Sequence, residues 1–244
     1  MMGKLIVTGI GPGDAAHMTV ACADALRTAD VIVGYTGYTK LIKPLFPDKE
    51  YIETGMTQEM ARCQEAVALA DAGCTVCVVS SGDSGVYGMA GLLLELAGES
   101  PSFAIAIVPG VTAALSGAAL LGAPIGHDFA VISLSDLLTP WDVIEKRLHA
   151  AAMGDFAIAL YNPGSHKRAG HLRTACGLLL ETLPPDRLCG IARCIAREGE
   201  SMQITTLSAL FEHEGDMNET IFIGNSQTKL VGGRMVTPRG YRHA

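Results

Sequence analysis

Residues 4–14 read KLIVTGIGPGD, and this stretch decides the fold of the first half of the chain. The apolar, β-branched run in residues 4–10 predicts a buried strand. Gly11-Pro12-Gly13 predicts an abrupt turn, and Asp14 has the side chain of an N-cap for a helix running to about Thr28. A strand that turns directly into a helix is the repeating unit of a parallel α/β sheet.

Three further strands in the first half are each followed by a helix. We predict strands at 31–34, 74–80 and 103–108, and helices at 57–72, 86–97 and 111–121. Four strands that each lead into a helix imply parallel pairing through right-handed crossovers.

Residues 121–126, LGAPIG, interrupt this pattern, and a second series of elements begins after them. There we predict strands at 129–133, 156–160, 188–194, 201–206 and 220–224, and helices at 140–152 and 168–183. The chain is therefore expected to form two α/β domains, residues 1–121 and 122–244. A ligand is expected in the crevice between them, where small molecules commonly bind.

Charge and hydropathy exclude several classes of partner. The chain has 244 residues and a formal net charge of −7. A chain this acidic is a poor candidate for coating nucleic acid or an anionic membrane, because that affinity comes from clustered Lys and Arg. It lacks a run of about 18 apolar residues that could span a bilayer. The apolar run in residues 4–10 lacks the cleavage site of a signal peptide, so we expect a cytoplasmic protein.

The cysteines indicate core packing. Seven cysteines, an odd number, argue against a secreted disulfide framework. Cys74 and Cys77 form a CxxC motif, but an offset of three on a strand directs the two thiols to opposite faces, which prevents chelation. We expect packed thiols and no bound metal.

Three glycine-rich turns follow predicted strands: residues 9–14 (GIGPGD), 80–88 (SSGDSGVYG) and 108–113 (VPGVTA). The first differs from a dinucleotide fingerprint, because its third glycine comes one residue early and the strand at 31–34 ends without an acid. The second lacks the GK[ST] of a phosphate-binding loop. Taken alone, the first turn is as compatible with a tight connection as with a ligand loop. Since parallel strands share one carboxyl edge, the three turns should lie side by side.

The order and spacing of these turns resemble those of the tetrapyrrole methylases, and the resemblance covers nearly the full chain. It implies two α/β domains, S-adenosylmethionine bound in the cleft between them, and a dimer. The positions that match the cofactor cleft of that family are Pro12, Gly82, Asp83, Val86, Thr112, Ala113, Tyr161 and Asn162.

Three segments of the second half resemble one branch of that family: residues 127–141 (HDFAVISLSDLLTPW), 161–163 (YNP) and 223–226 (IGNS). The resemblance implies methylation of precorrin-3B, or of its cobalt form, at ring carbon 17 with contraction of the macrocycle, a step of cobalamin biosynthesis. Which of the two forms is the substrate stays open. The alternatives are methylation at another ring position or of another substrate, and a protein that senses a nucleotide without catalysis. A dehydrogenase would need the missing acid.

The implied reaction defines which side chains are candidates. S-adenosylmethionine carries its own leaving group, so alignment and exclusion of water account for much of methyl transfer. Ring contraction also requires proton transfer, for which Asp83, Asp136 and His127 are the candidates. Their alternative roles are turn former, helix N-cap and surface residue, respectively.

The substrate implied by the resemblance carries many carboxylates, so cations are expected around it. The candidates are Arg168, which follows the turn at 161–163, and Arg193 and Arg197 beside another strand end. Solvated surface charge is the alternative for each of them.

Overall fold

The computed structural model of the protein describes residues 2–165 and 169–241, in two compact units, Met1–Ala113 and Ala114–Ala244. Within these ranges, no helix combines the length and the apolar composition that crossing a membrane requires.

The N-terminal unit alternates strands and helices. Its strands are β1 (Lys4–Gly9), β2 (Val31–Tyr35), β3 (Glu50–Thr54), β4 (Thr75–Ser80) and β5 (Ala104–Val108). Its helices are α1 (Val20–Thr28), α2 (Thr36–Ile42), α3 (Glu59–Asp71) and α4 (Ala90–Ala97). The strands pair in parallel in the order β3-β2-β4-β1-β5, so β1 lies between β4 and β5. The predicted parallel sheet is present, with β3 as an additional edge strand.

The central strands of this unit are buried on both faces. Leu5 and Val7 of β1 pack in one apolar cluster, and Ile6 packs in another, as the two-residue period of a strand requires. Cys74 packs against the first cluster and Cys77 belongs to the second. The two thiols of the CxxC motif therefore lie against different faces of the sheet.

The connection after β1 differs from the single helix predicted to begin at Asp14. Asp14 caps only a short 3₁₀ turn, Ala15–His17, by accepting from the backbone N of His17 at 3.0 Å. The α-helix α1 begins later, and its N-cap is Thr19, which accepts from the backbone N of Cys22 at 3.1 Å. Because Asp14 and Thr19 each cap their own helical segment, a short 3₁₀ turn and α1 replace the single predicted helix.

The C-terminal unit contains a mixed sheet. Its strands are β6 (Gly122–Ala123), β7 (Phe129–Ser133), β8 (Ala157–Tyr161), β9 (Leu188–Arg193), β10 (Ser201–Thr206), β11 (Glu219–Ile223), β12 (Lys229–Val231) and β13 (Arg234–Val236). Its helices are α5 (Ala113–Leu121), α6 (Trp141–Met153), α7 (His171–Leu180) and α8 (Leu207–Phe211). Five strands form the order β10-β9-β11-β8-β7, and β12, β13 and β6 form a small second sheet.

Three strands of this sheet end at the same edge. β7 and β8 are parallel, and β11 is antiparallel to both β8 and β9. β7, β8 and β9 therefore run the same way, and their carboxyl ends share one edge. Ser133, Tyr161 and Arg193 are the last residues of these strands.

The helix α5 accounts for the position of the unit boundary, which lies after Ala113 and not after residue 121 as predicted. A Cβ at Gly117 would come within 2.9 Å of the Phe222 ring, and the side chain of Leu121 fills the space that a Cβ at Gly190 would occupy. Because the small residues of α5 pack on β11 and β9, the helix belongs to the C-terminal unit.

Candidate active site

In the N-terminal unit, the loops after β4, β1 and β5 meet at the carboxyl edge of the sheet. The backbone N of Gly11 donates to the carbonyl O of Gly82 at 3.0 Å, and the N of Gly82 donates to the O of Gly11 at 2.8 Å. This two-way bridge joins the first two predicted turns through their backbones.

Glycine is required where the three loops touch. A Cβ at Gly9 would lie 2.3 Å from the carbonyl O of Gly82, and a Cβ at Gly110 would lie 2.1 Å from the same atom. Gly82 itself has a φ of +66°, a conformation that side chains disfavour. A side chain at Gly9 or Gly110 would force the loops apart, and one at Gly82 would strain the backbone.

The Asp83 carboxylate links two of the loops. Its Oδ1 accepts from the backbone N of Gly85 at 2.8 Å and of Val86 at 3.1 Å, and its Oδ2 accepts from the N of Gly110 at 2.8 Å. Three backbone donors engage both oxygens, which leaves the carboxylate little capacity to move substrate protons. The geometry favours a structural role for Asp83: it forms its own turn, which is the alternative predicted from the sequence, and it also holds the loop after β5.

The predicted cofactor residues of the N-terminal unit therefore belong to one loop cluster. Pro12 is buried beside the Gly11–Gly82 bridge, and Val86 is held by Asp83. A Cβ at Gly82 would lie 3.5 Å from Cα of Thr112 and 3.8 Å from the N of Ala113. We call Gly9–Pro12, Gly82–Val86 and Gly110–Ala113 the loop cluster.

The predicted residues Tyr161 and Asn162 lie at the carboxyl edge of the sheet in the C-terminal unit. The Tyr161 hydroxyl accepts from the backbone N of Ala114 at 2.7 Å. Asn162 has a φ of +55°, and its Nδ2 donates to the Ser133 hydroxyl at 2.9 Å. The left-handed turn directs this amide across to the neighbouring strand end.

Asp136 lies at the same edge, beside His171. The carboxylate of Asp136 is 3.8 Å from Nε2 of His171, and the other ring nitrogen, Nδ1, is 2.9 Å from the carbonyl O of Leu134. The Trp141 ring packs on His171 with 5.0 Å between centroids. A carbonyl accepts only, so Nδ1 carries the proton in this contact, and in a neutral ring Nε2 is an acceptor.

His171 was not among the predicted site residues. Its signal in the sequence is Gly170 before it, because glycine is accepted as a helix N-cap. The helix α7 begins at His171 and not at residue 168 as predicted. Among the described residues, no group of three or more His, Cys, Asp or Glu could hold a metal ion.

His127, the third candidate for proton transfer, lies away from this edge. It precedes the first residue of β7, whereas Asp136 follows the last, and the five residues of β7 separate the two ends by roughly 15 Å. Its ring is half exposed and Nδ1 accepts from the backbone N of Asp128 at 2.8 Å. His127 and Asp136 therefore cannot act on the same atom, and the surface role fits His127.

Of the arginines predicted to bind substrate carboxylates, Arg193 already pairs with a carboxylate of this chain. Arg193 ends β9 and donates to the Asp216 carboxylate at 2.9 Å, a bond that raises the pKa of its guanidinium. Arg197 follows in the next turn, where its backbone N donates to the O of Cys194 at 2.9 Å. Both lie at the carboxyl edge. Arg168 lies outside the described residues.

The loop cluster and its spacing agree with a known family. A family model for tetrapyrrole (corrin/porphyrin) methylases matches residues 4–210. The chain belongs to the tetrapyrrole methylases. The predicted α/β tetrapyrrole methylase fold is confirmed, and so is the prediction of a methyltransferase.

Individual tetrapyrrole methylases match nearly all of the chain. A probable cobalt-factor III C(17)-methyltransferase of Salmonella typhimurium is 47% identical, over 97% of this chain and 99% of its own. A precorrin-3B C(17)-methyltransferase of a Sinorhizobium species is 40% identical, over 100% and 99%. The crystal structure of the methyltransferase CobJ superposes with a TM-score of 0.90 at 38% identity, over 97% of this chain and 100% of that one. Some other relatives are longer, and this chain spans about half of their length.

Proposed function

We propose that this tetrapyrrole methylase transfers a methyl group from S-adenosylmethionine to ring carbon 17 of precorrin-3B or its cobalt form, with contraction of the macrocycle, in cobalamin biosynthesis. The observation that carries the proposal is the 47% identity to a probable cobalt-factor III C(17)-methyltransferase over nearly the whole of both chains. We also propose that the enzyme is a cytoplasmic homodimer.

The loop cluster is the proposed binding surface for S-adenosylmethionine, which supplies a methyl group on a positively charged sulfur. Its residues fit a nucleoside ligand in two respects. The cluster lies at the carboxyl edge of a parallel sheet, where α/β folds bind ligands. At Gly85, an added Cβ would meet only Oδ1 of Asp83 within 4 Å, so the backbone there is open to close approach.

The side chains of the cluster hold its geometry. Asp83 fixes the loops after β4 and β5, and the Gly11–Gly82 bridge fixes the loops after β1 and β4. A surface that is arranged before the ligand arrives loses less entropy on binding, and it can hold the methyl donor in one orientation.

Proton handling for ring contraction is assigned to Asp136. Its side chain is 42% exposed, so it is open to a ligand, and it lies at the edge that also presents Asn162 and Ser133. A carboxylate with this exposure can accept a proton from, or return one to, the macrocycle. His171 contributes by holding the backbone that precedes Asp136.

The cobalt form is the first substrate to test, because identity is 47% to the cobalt-factor relative and 40% to the precorrin-3B relative. Purified protein is incubated with methyl-¹³C S-adenosylmethionine and either macrocycle, and the product is analysed by mass spectrometry and ¹³C NMR. The proposal expects one labelled methyl on carbon 17 of a contracted ring. A methyl on another carbon, or binding without turnover of either macrocycle, would contradict it.

The quaternary state is tested separately. One chain has a mass of 25.5 kDa. Light scattering on protein eluting from a size-exclusion column should give twice that mass. A mass of one chain at micromolar concentration would contradict the homodimer and leave the catalytic proposal intact.

A further inference from the structure

The turn between β7 and α6 presents two consecutive leucines to solvent. Leu137 is 69% exposed and Leu138 is 97% exposed. A single exposed leucine is ordinary in a soluble protein, but adjacent ones at the edge of a candidate site indicate a contact surface. We call residues 134–140 the β7–α6 turn.

The β7–α6 turn is held at its base. The backbone N of Leu134 donates to the O of Tyr161 at 2.9 Å, and the N of Ser135 donates to the Ser133 hydroxyl at 3.2 Å. Leu134 is fully buried, and its carbonyl also meets His171. The exposure of the two leucines therefore arises at the tip of an anchored turn and not from a frayed chain end.

The far end of the turn is anchored as well. Trp141 begins α6, and its ring packs against His171. The imidazole thus contacts both the start of the turn, through Leu134, and the first residue after it. Leu137 and Leu138 project between these two fixed points.

The same sheet edge offers cations at a distance from the leucines. Arg193 ends β9, which is three strand spacings from β7, or roughly 14 Å at ~4.8 Å per spacing. Arg193 is about half exposed even with Asp216 bound to it, so its remaining donors can reach a second carboxylate. The macrocycle is a broad apolar ring that carries carboxylate arms. The leucines could contact the ring, and the Arg193 guanidinium could bind a carboxylate arm.

We propose that Leu137 and Leu138 contact the apolar face of the tetrapyrrole macrocycle and help to determine its affinity. This inference rests on the proposed function and adds substrate-contacting residues to it. The macrocycle is the expected occupant because the leucines are continuous with the edge that presents Asp136 and Asn162.

The test is a double variant, Leu137→Ser/Leu138→Ser, measured against a matched surface control, Leu230→Ser/Val231→Ser. The control residues are about half exposed on β12, which belongs to the separate small sheet. Burying a leucine contributes enough free energy that the loss of both should raise the KM for the macrocycle ~10–100-fold. Equilibrium binding of the macrocycle, followed by its absorbance, should weaken by a similar factor.

Three further readouts decide the interpretation. Calorimetric affinity for S-adenosylhomocysteine and the solution mass should match the wild type, and Leu137→Met/Leu138→Met should restore most of the macrocycle affinity. An unchanged KM in the serine variant, a changed mass that assigns the leucines to a second copy, or a lost affinity for S-adenosylhomocysteine would each overturn the inference.

Failure of the proposed function can be distinguished from failure of the leucine assignment. If the wild type neither binds nor methylates either macrocycle, both proposals fall. If the wild type turns over and the serine variant behaves identically, only the assignment of the leucines falls.

Discussion

Replacing Asp83 with Asn tests whether this side chain holds the loops or moves protons. Asn retains one acceptor but presents an N–H group toward at least one of the three backbone donors that the carboxylate now engages. We expect the free energy of unfolding to fall by about 1–2 kcal/mol, since a backbone donor that is at most part-buried loses its acceptor. Urea denaturation measures this change, and calorimetry should show weaker binding of S-adenosylhomocysteine.

A second carboxylate of the same unit serves as the control for that experiment. Asp48 is exposed, and Asp48→Asn should change the free energy of unfolding by less than about 0.5 kcal/mol. If Asp83→Asn instead kept its stability and its affinity for S-adenosylhomocysteine but lost turnover, Asp83 would be the proton-transfer group and the loop-holding assignment would be wrong.

Among structural elements, the strand ends of β1, β4 and β5 make the sharpest prediction. Gly110→Ala would put a Cβ 2.1 Å from the carbonyl O of Gly82, an atom that is itself hydrogen-bonded to Gly11. Backbone cannot yield as a flexible side chain can, so we expect a loss of about 1–3 kcal/mol or more in the free energy of unfolding. Thermal unfolding followed by circular dichroism measures it.

The matched glycine control lies in α4. An alanine at Gly91 meets no atom within 4 Å, and alanine favours helix over glycine, so Gly91→Ala should be neutral or slightly stabilising. If the Gly110→Ala and Gly91→Ala variants were equally stable, the close approach of the three loops would not contribute to the free energy of unfolding.

Elements with strong apolar periodicity were predictable from the sequence, and weakly patterned ones were not. β1, β4 and β8 are nearly continuous apolar runs, which is the pattern of strands covered on both faces. β3 was missed because its sequence, EYIET, has no continuous apolar run: both glutamates are exposed and the other three residues are only half-buried. α4 begins at Ala90, later than the predicted 86, because Asp83 and Ser84 organise a turn before it.

The candidate site was predictable where function depends on backbone conformation. The glycine turns identified the loop cluster, since parallel strand ends must share an edge. The side-chain contacts were not predictable, because Asp136 meets His171 only through the packing of α7 against the β7–α6 turn. The sequence also did not show that the whole strand β7 separates the two candidates His127 and Asp136.

Across the whole molecule, the seven cysteines divide into two reactivity classes. Five are buried and two, Cys74 and Cys194, are half-buried. Reaction with a thiol reagent requires an accessible thiolate, so we expect at most two thiols to react quickly in the native protein near pH 8 and all seven after unfolding. A chromogenic disulfide reagent counts them. Fast reaction of more than two thiols in the native protein would show that at least one of the five buried cysteines is accessible.

The buried thiols also make stability depend on alkaline pH. Burial raises the pKa of Cys63 from 9.0 to about 11 and that of Cys176 from 9.0 to about 12, one thiol in each unit. In the unfolded chain these thiols ionise near pH 9, whereas in the folded chain they stay protonated. Their contribution is therefore complete below pH 9 and is lost as the pH rises toward 11, at up to about 1.4 kcal/mol per pH unit for each thiol.

The expected result is a free energy of unfolding that declines steadily between pH 9 and 11 in urea titrations. Other groups titrate in this range, so the slope of the wild type alone does not identify the thiols. Cys63→Ala/Cys176→Ala removes two titrating groups at buried sites where alanine is smaller, so it should lower stability at pH 7 and flatten the decline above pH 9. An unchanged slope in this double variant would show that desolvation of the two thiols does not control alkaline stability.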